Sequence, residues 1–311
     1  MWGLVDDSYH ASASQGIPVD PRSETLQVVQ TAFTELVGCE VPIQLAAMGG
    51  VGTLELALAV ASAGGLGMVP SSVEVPQIDS RALGQNFLAV FEPSLEAIAQ
   101  AARHARVVEF FYAWPDRSYV QAVTNAGAIA AWQVGSVEEA RAAADAGCGF
   151  LIAQGTEAGG HVRGTTALDD LLPAVLGAVS IPVVAAGGIA TARRVAQLLT
   201  AGAAGVRVGT LFLATPESGA HPIYVERLLK ANAHDTVLTS HFDQGWPNAP
   251  HRVLRSSLAA AEESGWRATT PPARFAEGDV EAMAMYAGTG VGSIDAVKAA
   301  EKVVSDLCAE L

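Results

Sequence analysis

A glycine-rich segment that contains one histidine has the residue types and spacing for proton transfer. Residues 154–164 read Gln-Gly-Thr-Glu-Ala-Gly-Gly-His-Val-Arg-Gly and directly follow an apolar run. Gly159 and Gly160 allow the backbone to approach a ligand closely or to adopt a positive φ. A histidine can exchange a proton near neutral pH. The segment therefore predicts an acid/base site with His161 as the exchanging group; the alternative is a loop histidine that only forms hydrogen bonds.

Two further loops have the composition of a phosphate site. The run 182–186 ends in a glycine pair, and the run 205–208 ends in a glycine followed by a threonine. Backbone N–H groups at such turns bind anions, and barrels often hold a phosphate after their last two strands. The residues predicted to bind the phosphate are Gly187, Gly188, Gly209 and Thr210, and Ala186, which precedes the glycine pair, is predicted to bind the same cofactor.

A third group of residues suits a flat aromatic ring. Ala46, Ala47 and Met48 end the first apolar run, and their small side chains leave room for a ring against the backbone. Asn86 and Gln133 place amides where apolar strand residues are expected. Each amide could be a satisfied core group, but polar residues that converge on a barrel mouth can hold the edge of an isoalloxazine.

These residues lie at the ends of regularly spaced apolar runs. Short runs bounded by Gly or Pro alternate with Ala-, Glu- and Leu-rich segments, which is typical of parallel βα units. Thr53, Ser136 and Thr191 are placed to begin helices, and Ser136 opens a capping-box pattern. We therefore predict an α/β fold, a (β/α)8 TIM barrel. The predicted strands are 43–47, 66–69, 83–89, 106–112, 127–132, 150–154, 182–186 and 205–209.

Two stretches depart from this pattern. Residues 69–81 contain two prolines and little periodicity, so the second crossover is predicted to be short. Residues 216–289 are predicted to form a small helical subdomain inserted after the eighth strand, with helical segments near 222–232, 253–262 and 278–285. The barrel domain is predicted to comprise 1–215 plus 290–311, with a last helix from Ile294 to about residue 310. Trp246, His241 and His251 lie in the inserted segment, and a structural role is favoured for each.

Composition and charge disfavour several classes of protein, among them nucleic-acid-binding, membrane-spanning and metal-binding proteins. The chain has 311 residues and a net charge of −14, which disfavours nucleic acid as a partner. No apolar run approaches the roughly 18 to 20 residues that a bilayer span requires. The first 22 residues do not resemble a secretory signal, so a cytoplasmic protein is expected. Three cysteines without CxxC spacing, and no histidine pair at i, i+4, predict neither a disulfide framework nor a metal site. A homodimer is compatible with the Ala-rich helices.

At these motifs the chain resembles the nitronate monooxygenases, formerly called 2-nitropropane dioxygenases. The resemblance is carried, in the family's order, by residues 47–50, 157–161, 186–189 and 209–212. It implies non-covalent FMN, with the phosphate and ring on the residues named above. It also implies that His161 acts on a nitronate or nitroalkane, which O2 converts to a carbonyl compound and nitrite. The short second crossover and Thr289, where many relatives carry Gln, depart from the family pattern.

Two other functions remain open from the sequence. The same scaffold resembles FMN-dependent enoyl-acyl-carrier reductases and some NAD(P)H:quinone reductases, so an NAD(P)H-dependent FMN reductase of an enoyl thioester or a quinone is the alternative. A barrel that binds a phosphate or flavin without redox chemistry is a third possibility.

Overall fold

The computed structural model describes residues 28–76, 82–246 and 248–311, and its architecture is an α/β barrel. In chain order its strands are β1 (Ile43–Leu45), β2 (Gly67–Pro70), β3 (Leu83–Leu88), β4 (Val107–Phe111), β5 (Ile129–Val134), β6 (Phe150–Gln154), β7 (Gly160–His161), β8 (Val183–Ala186), β9 (Gly205–Val208), β10 (Thr236–Thr239) and β11 (His251–Leu254). Strands β1 to β6, β8 and β9 coincide with the eight predicted runs.

These eight strands form a closed parallel barrel. Neighbouring strands are hydrogen-bonded in the order β1-β9-β8-β6-β5-β4-β3-β2. The two ends of this sheet also join, because Leu45 donates its N–H to the carbonyl of Leu66 at 2.9 Å, and Leu66 donates to that of Ile43 at 2.9 Å. The predicted TIM barrel is confirmed. Its strand ends converge on one mouth, where barrels build their sites.

The helices surround the barrel and extend beyond its last strand. They are α1 (Ala32–Val37), α2 (Leu54–Ser62), α3 (Leu95–Ala102), α4 (Arg117–Asn125), α5 (Val137–Ala146), α6 (Leu168–Leu176), α7 (Ala192–Thr200), α8 (Thr210–Leu213), α9 (Pro222–Lys230), α10 (Arg255–Ser264) and α11 (Ala300–Cys308). Helix α11 is shorter than predicted at its start, since residues 294–299 are not helical.

Helix starts follow the predicted caps. The side chains of Thr53, Ser136 and Thr191 each accept a hydrogen bond from the N–H three residues later. The full capping box at Ser136 does not form, because the Glu139 carboxylate instead accepts from the N–H of Gly135 at 2.8 Å. That carboxylate also pairs with Arg163, which lies just beyond the histidine loop. Glu139 thus connects α5 to the loop that carries His161.

The core lies between the strands and the surrounding helices. Phe33 and Phe150 meet edge to face with centroids 5.3 Å apart, and Phe110 packs against Trp132 at 4.9 Å. All four side chains are fully buried. Such aromatic contacts, added to the burial of apolar area, hold the strand ends in a fixed arrangement.

The second crossover contains no helix over residues 71–76, as predicted for an abbreviated connection. Residues 77–81, which complete this prediction, lie outside the described residues. Residues 1–27, which include the 22 residues considered for a secretory signal, also lie outside them.

The inserted segment is mixed rather than only helical. Helices α9 and α10 lie close to two predicted positions, while the third is reduced to a 3-10 turn at residues 280–282. Strands β10 and β11 were not predicted. They form an antiparallel sheet with β7, which carries the histidine. The segment therefore holds the histidine loop by main-chain pairing. The domain boundaries themselves stay a prediction.

Candidate active site

A cavity of about 490 Å³ opens at the carboxyl ends of the barrel strands. It brings together every residue predicted for the site. The thirteen residues are Ala46, Ala47, Met48, Asn86, Gln133, Gly159, Gly160, His161, Ala186, Gly187, Gly188, Gly209 and Thr210. Residues from six parts of the chain thus share one space, while the role of each stays a prediction.

The two loops predicted for phosphate lie on neighbouring strands, β8 and β9. Gly187 and Gly188 have φ values of 121° and 67°, in the region that L side chains rarely adopt. No described residue accepts a hydrogen bond from the backbone N–H of Gly187, Gly188 or Gly209. These donors face a common cavity, which suits an anion such as a phosphate.

Residues 288–289 connect the phosphate loops to the histidine loop through two hydrogen bonds. Gly288 donates its N–H to Oγ1 of Thr210 at 3.0 Å, and a Cβ on Gly159 would lie 2.5 Å from the same nitrogen. Thr289, the departure from the family pattern, donates its N–H to the carbonyl of Glu157 at 3.0 Å. Residues 288–289 therefore lie between the predicted phosphate and the histidine segment, and Gly159 is required by close packing.

The interior of the barrel beneath the cavity is polar. Glu109 is fully buried and accepts hydrogen bonds from Gln44 Nε2 at 2.9 Å, Asn86 Nδ2 at 2.8 Å and Arg207 at 2.6 Å. The same Arg207 nitrogen donates to Gln133 Oε1 at 2.6 Å. A buried carboxylate and guanidinium are tolerated because each is paired and hydrogen-bonded.

In each of the two amides predicted to face a flavin, one polar atom is hydrogen-bonded and the other is free to bind a ligand. Each uses one end in the polar network, while Asn86 Oδ1 and Gln133 Nε2 have no hydrogen-bond partner among the described residues. Both residues line the cavity. The site therefore presents one acceptor and one donor, the pair that a pyrimidine-type ring edge can use.

His161 lies at the mouth on β7, next to the strand end of β6. Gln154 Nε2 donates to the His161 carbonyl at 2.9 Å, and His161 Nδ1 lies 3.2 Å from the carbonyl oxygen of Ala249. Because a carbonyl only accepts, the neutral ring carries its hydrogen on Nδ1 and leaves the Nε2 lone pair free. Burial, with a smaller contribution from His251, lowers the pKa of His161 to about 3, opposed by the Ala249 hydrogen bond.

Aromatic side chains enclose the imidazole. The ring of Trp246 lies 3.7 Å from that of His161 between centroids, and Tyr286 and Tyr112 lie 5.7 and 5.8 Å away. Tyr112 has a φ of 67°, a strained backbone conformation for a bulky residue. These rings cover part of the half-buried imidazole, and the resulting desolvation lowers its pKa.

The amino-acid sequence matches that of a known protein family. A model described as nitronate monooxygenase matches residues 77–310. The chain belongs to the nitronate monooxygenase family. Membership confirms the predicted resemblance and places the protein among flavin-dependent oxidoreductases.

Individual relatives carry different names. One relative is the (3aS,4S,5R,7aS)-5-hydroxy-7a-methyl-1-oxo-octahydro-1H-indene-4-carboxyl-CoA dehydrogenase of Mycobacterium tuberculosis. The chain is 36% identical to it over 254 residues, which cover 77% of this chain and 70% of the relative. It is 29% identical over 221 residues, 66% of this chain and 64% of the relative, to a probable nitronate monooxygenase of Bacillus subtilis.

Solved structures agree on the architecture. FabK from Thermotoga maritima superimposes with a TM-score of 0.77 at 30% identity, over 91% of this chain and 96% of that one. Nitroalkane oxidase from Streptomyces ansochromogenes gives a TM-score of 0.71 at 29% identity, over 90% and 98%. The family scaffold therefore spans nearly all of the chain, while the names of its members cover more than one reaction.

Sequence reasoning missed several site residues. Arg207 and Glu109 were not singled out, although each is a charge inside an apolar strand, Gly-Val-Arg-Val and Val-Val-Glu-Phe-Phe, and that was the available signal. Of the residues left open, Trp246 lines the cavity and His251 lies behind His161. His241 does not line the cavity and bonds to the Trp266 carbonyl at 2.9 Å instead.

Two further observations concern other classes of protein. Within the described ranges, no three potential metal-ligating side chains cluster together. No helix of the described residues is both long and apolar enough to cross a membrane.

Proposed function

We propose that this protein is an FMN-dependent monooxygenase that oxidises nitronates or nitroalkanes with O2 to a carbonyl compound and nitrite. The observation that carries the proposal is His161, a neutral imidazole whose Nε2 is free in the same cavity as the unpaired N–H groups of Gly187, Gly188 and Gly209. A proton-exchanging group and an anion cradle in one cavity are what a flavin-dependent oxidation of a carbon acid requires.

The residues present fit FMN. The cavity volume falls within the roughly 300 to 1,000 Å³ typical of ligand pockets. Free N–H donors at the ends of β8 and β9 match a phosphate, and the free ends of Asn86 and Gln133 match a ring edge that donates and accepts. FMN in this position would supply the oxidising group that takes electrons from the substrate carbon.

Burial of His161 bears on the form of substrate. A group with a pKa of about 3 is neutral at physiological pH and is a weak base in the ligand-free site. A nitronate needs no deprotonation, whereas a neutral nitroalkane must transfer its proton to Nε2. We therefore expect nitronates to be the better substrates. An anion beside the ring would also favour a protonated imidazole, which could donate from Nε2 to a nitronate oxygen.

A second candidate is an oxidoreductase of an acyl thioester that exchanges electrons with NAD(P)H. It is favoured by the 36% identity to a relative named as a dehydrogenase of a carboxyl-CoA compound. The same His161 Nε2 would then exchange a proton at a carbon of the acyl group. The two candidates share the cofactor and the histidine and differ in what reduces the flavin.

An anaerobic titration distinguishes these functions. Protein reconstituted with FMN is titrated separately with an alkyl nitronate, NADH and NADPH, and the visible flavin absorbance is followed. Bleaching by nitronate alone supports the monooxygenase, and bleaching only by a reduced nicotinamide supports the thioester oxidoreductase instead. Protein that carries no flavin and takes up none would contradict both and leave a barrel without redox chemistry.

A further inference from the structure

His251 is a fully buried histidine that lies outside the cavity and faces the histidine of the site. In the antiparallel pairing of β11 with β7, His251 stands directly opposite His161. Their ring centroids are 5.1 Å apart, with an angle of 68° between the planes. Both rings therefore lie on the same face of this strand pair, but only His161 lines the cavity.

Both nitrogens of His251 are engaged. Nδ1 lies 2.8 Å from the carbonyl oxygen of Ala249, and Nε2 accepts from the backbone N–H of Phe242 at 3.3 Å. The carbonyl requires a hydrogen on Nδ1, and the N–H donor requires a lone pair on Nε2. His251 is consequently held as a neutral ring in a single tautomer. Protonation would place two donors face to face.

The carbonyl of Ala249 is shared by both histidines. His161 Nδ1 lies 3.2 Å from the same oxygen, which has two lone pairs and can accept both hydrogen bonds. We propose that His251 is a positioning residue that fixes the Ala249 carbonyl and thereby sets the tautomer and orientation of His161. This inference rests on the proposed role of His161 in proton exchange.

The position of that carbonyl decides which His161 nitrogen reaches the cavity. Ala249 is 1% exposed and follows Asn248, whose φ of 59° marks a tight turn. A neutral imidazole has two tautomers. When one nitrogen donates a hydrogen bond, the other nitrogen keeps the lone pair that can accept a proton. If the carbonyl moved, hydrogen on Nε2 would block the lone pair that faces the substrate.

Few other titratable groups lie near the pair. Tyr112 and Tyr286 face His161, and Arg163 lies over the ring of Tyr112. Tyr286 also faces His251. The charges of Asp243 and His241 influence the pKa of His251. Burial raises the pKa of both tyrosines further above the ordinary tyrosine value, so both remain uncharged near neutral pH, where turnover is measured.

The tautomers can be observed directly in the wild-type protein. We would label histidine with ¹⁵N, load the protein with FMN and read the ring nitrogen shifts of His161 and His251 near neutral pH. The expected result is hydrogen on Nδ1 of both rings. Hydrogen on Nε2 of either ring in the wild-type protein would overturn the proposal before any variant is made.

Two variants of similar cost in packing separate positioning from stability. His251→Asn can place an amide donor near the Nδ1 position and keep the bond to Ala249, whereas His251→Gln places its amide near Nε2 and loses that donor. We expect His161 to keep its tautomer in His251→Asn and to become a mixture in His251→Gln. In the latter, kcat/KM for a neutral nitroalkane should fall by the same factor as the population with hydrogen on Nδ1, about twofold for an equal mixture, with little change for the nitronate.

The outcomes distinguish this inference from the proposed function. An unchanged His161 tautomer in His251→Gln refutes the positioning role. If the tautomer changes but His161→Asn leaves turnover intact, the positioning stands and the proton-exchange function fails. His104→Gln, at an exposed histidine that contacts neither ring, is the control and should leave both readouts unchanged.

Discussion

The buried carboxylate of Glu109 offers a sharp test of how the barrel interior supports the site. Its two oxygens accept three hydrogen bonds, from Gln44, Asn86 and Arg207, and its side chain is fully buried. Glu109→Gln preserves the shape but removes the charge and turns one acceptor into a donor. That change leaves the Arg207 guanidinium, only 7% exposed, without a counter-charge.

The expected cost follows from these contacts. Removing one partner of a buried ion pair destabilises a protein by roughly 3 to 5 kcal/mol. A hydrogen bond to a charged group contributes about 1.5 to 3 kcal/mol, so the loss of the charge-assisted bonds is consistent with that range. With a urea m-value of about 3 kcal/mol/M, the unfolding midpoint should fall by roughly 1 to 1.7 M.

The assay is urea unfolding of the FMN-free protein, followed by circular dichroism. Glu226→Gln is the control, because it makes the same chemical change in an exposed i, i+4 pair with Lys230 and should not move the midpoint measurably. A midpoint for Glu109→Gln within experimental error of the wild type would refute the view that Arg207 depends on this carboxylate.

Further predictions concern the site itself. His161→Asn should retain FMN but lose about 10²-fold in turnover of a neutral nitroalkane, while the nitronate suffers less; the exposed His104→Asn should change neither, and equal loss for both substrates would contradict proton abstraction. Gly188→Ala should weaken FMN binding about tenfold in a fluorescence titration, since its φ is 67° and a Cβ would lie 2.8 Å from Thr289 Oγ1. Gly127→Ala, at φ 90° in open space, should leave that affinity unchanged. Because the pKa of His161 is lowered from 6.5 to about 3, the imidazole stays unprotonated as pH falls from 7 to 5. Protonation of His161 should therefore not lower kcat/KM in this pH range. The same shift means that the unfolded chain binds a proton first, so the contribution of His161 to stability should decline below about pH 6.5, and His161→Asn should flatten that dependence in denaturant unfolding.

The barrel was predictable because its signals are local. Each strand is a short apolar run, and each of the three cap residues lies directly before its helix, so periodicity and caps suffice. The glycine pair at 187–188 and the histidine at 161 were found for the same reason, since strand ends in a barrel converge whatever their separation in sequence.

What was missed depends on contacts between distant parts of the chain. Arg207 and Glu109 are 98 residues apart, and nothing in either strand specifies its partner. Strand β7 has only two residues and exists because β11 pairs with it. In this pairing His161 lies opposite His251, which is 90 positions later in the chain. Trp246 stacks on His161 from a segment without a regular pattern. Tertiary packing determines these arrangements.

The pairing of β7 with β11 also constrains how such a scaffold can be altered. A chimera that replaced residues 216–289 with the corresponding segment of a relative would exchange more than the wall of the substrate pocket. It would also replace strand β11, the Ala249 carbonyl and Trp246, which surround His161. A chimera with a changed substrate preference would therefore also have changed proton transfer. In this architecture, selectivity and acid/base chemistry cannot be exchanged as independent modules.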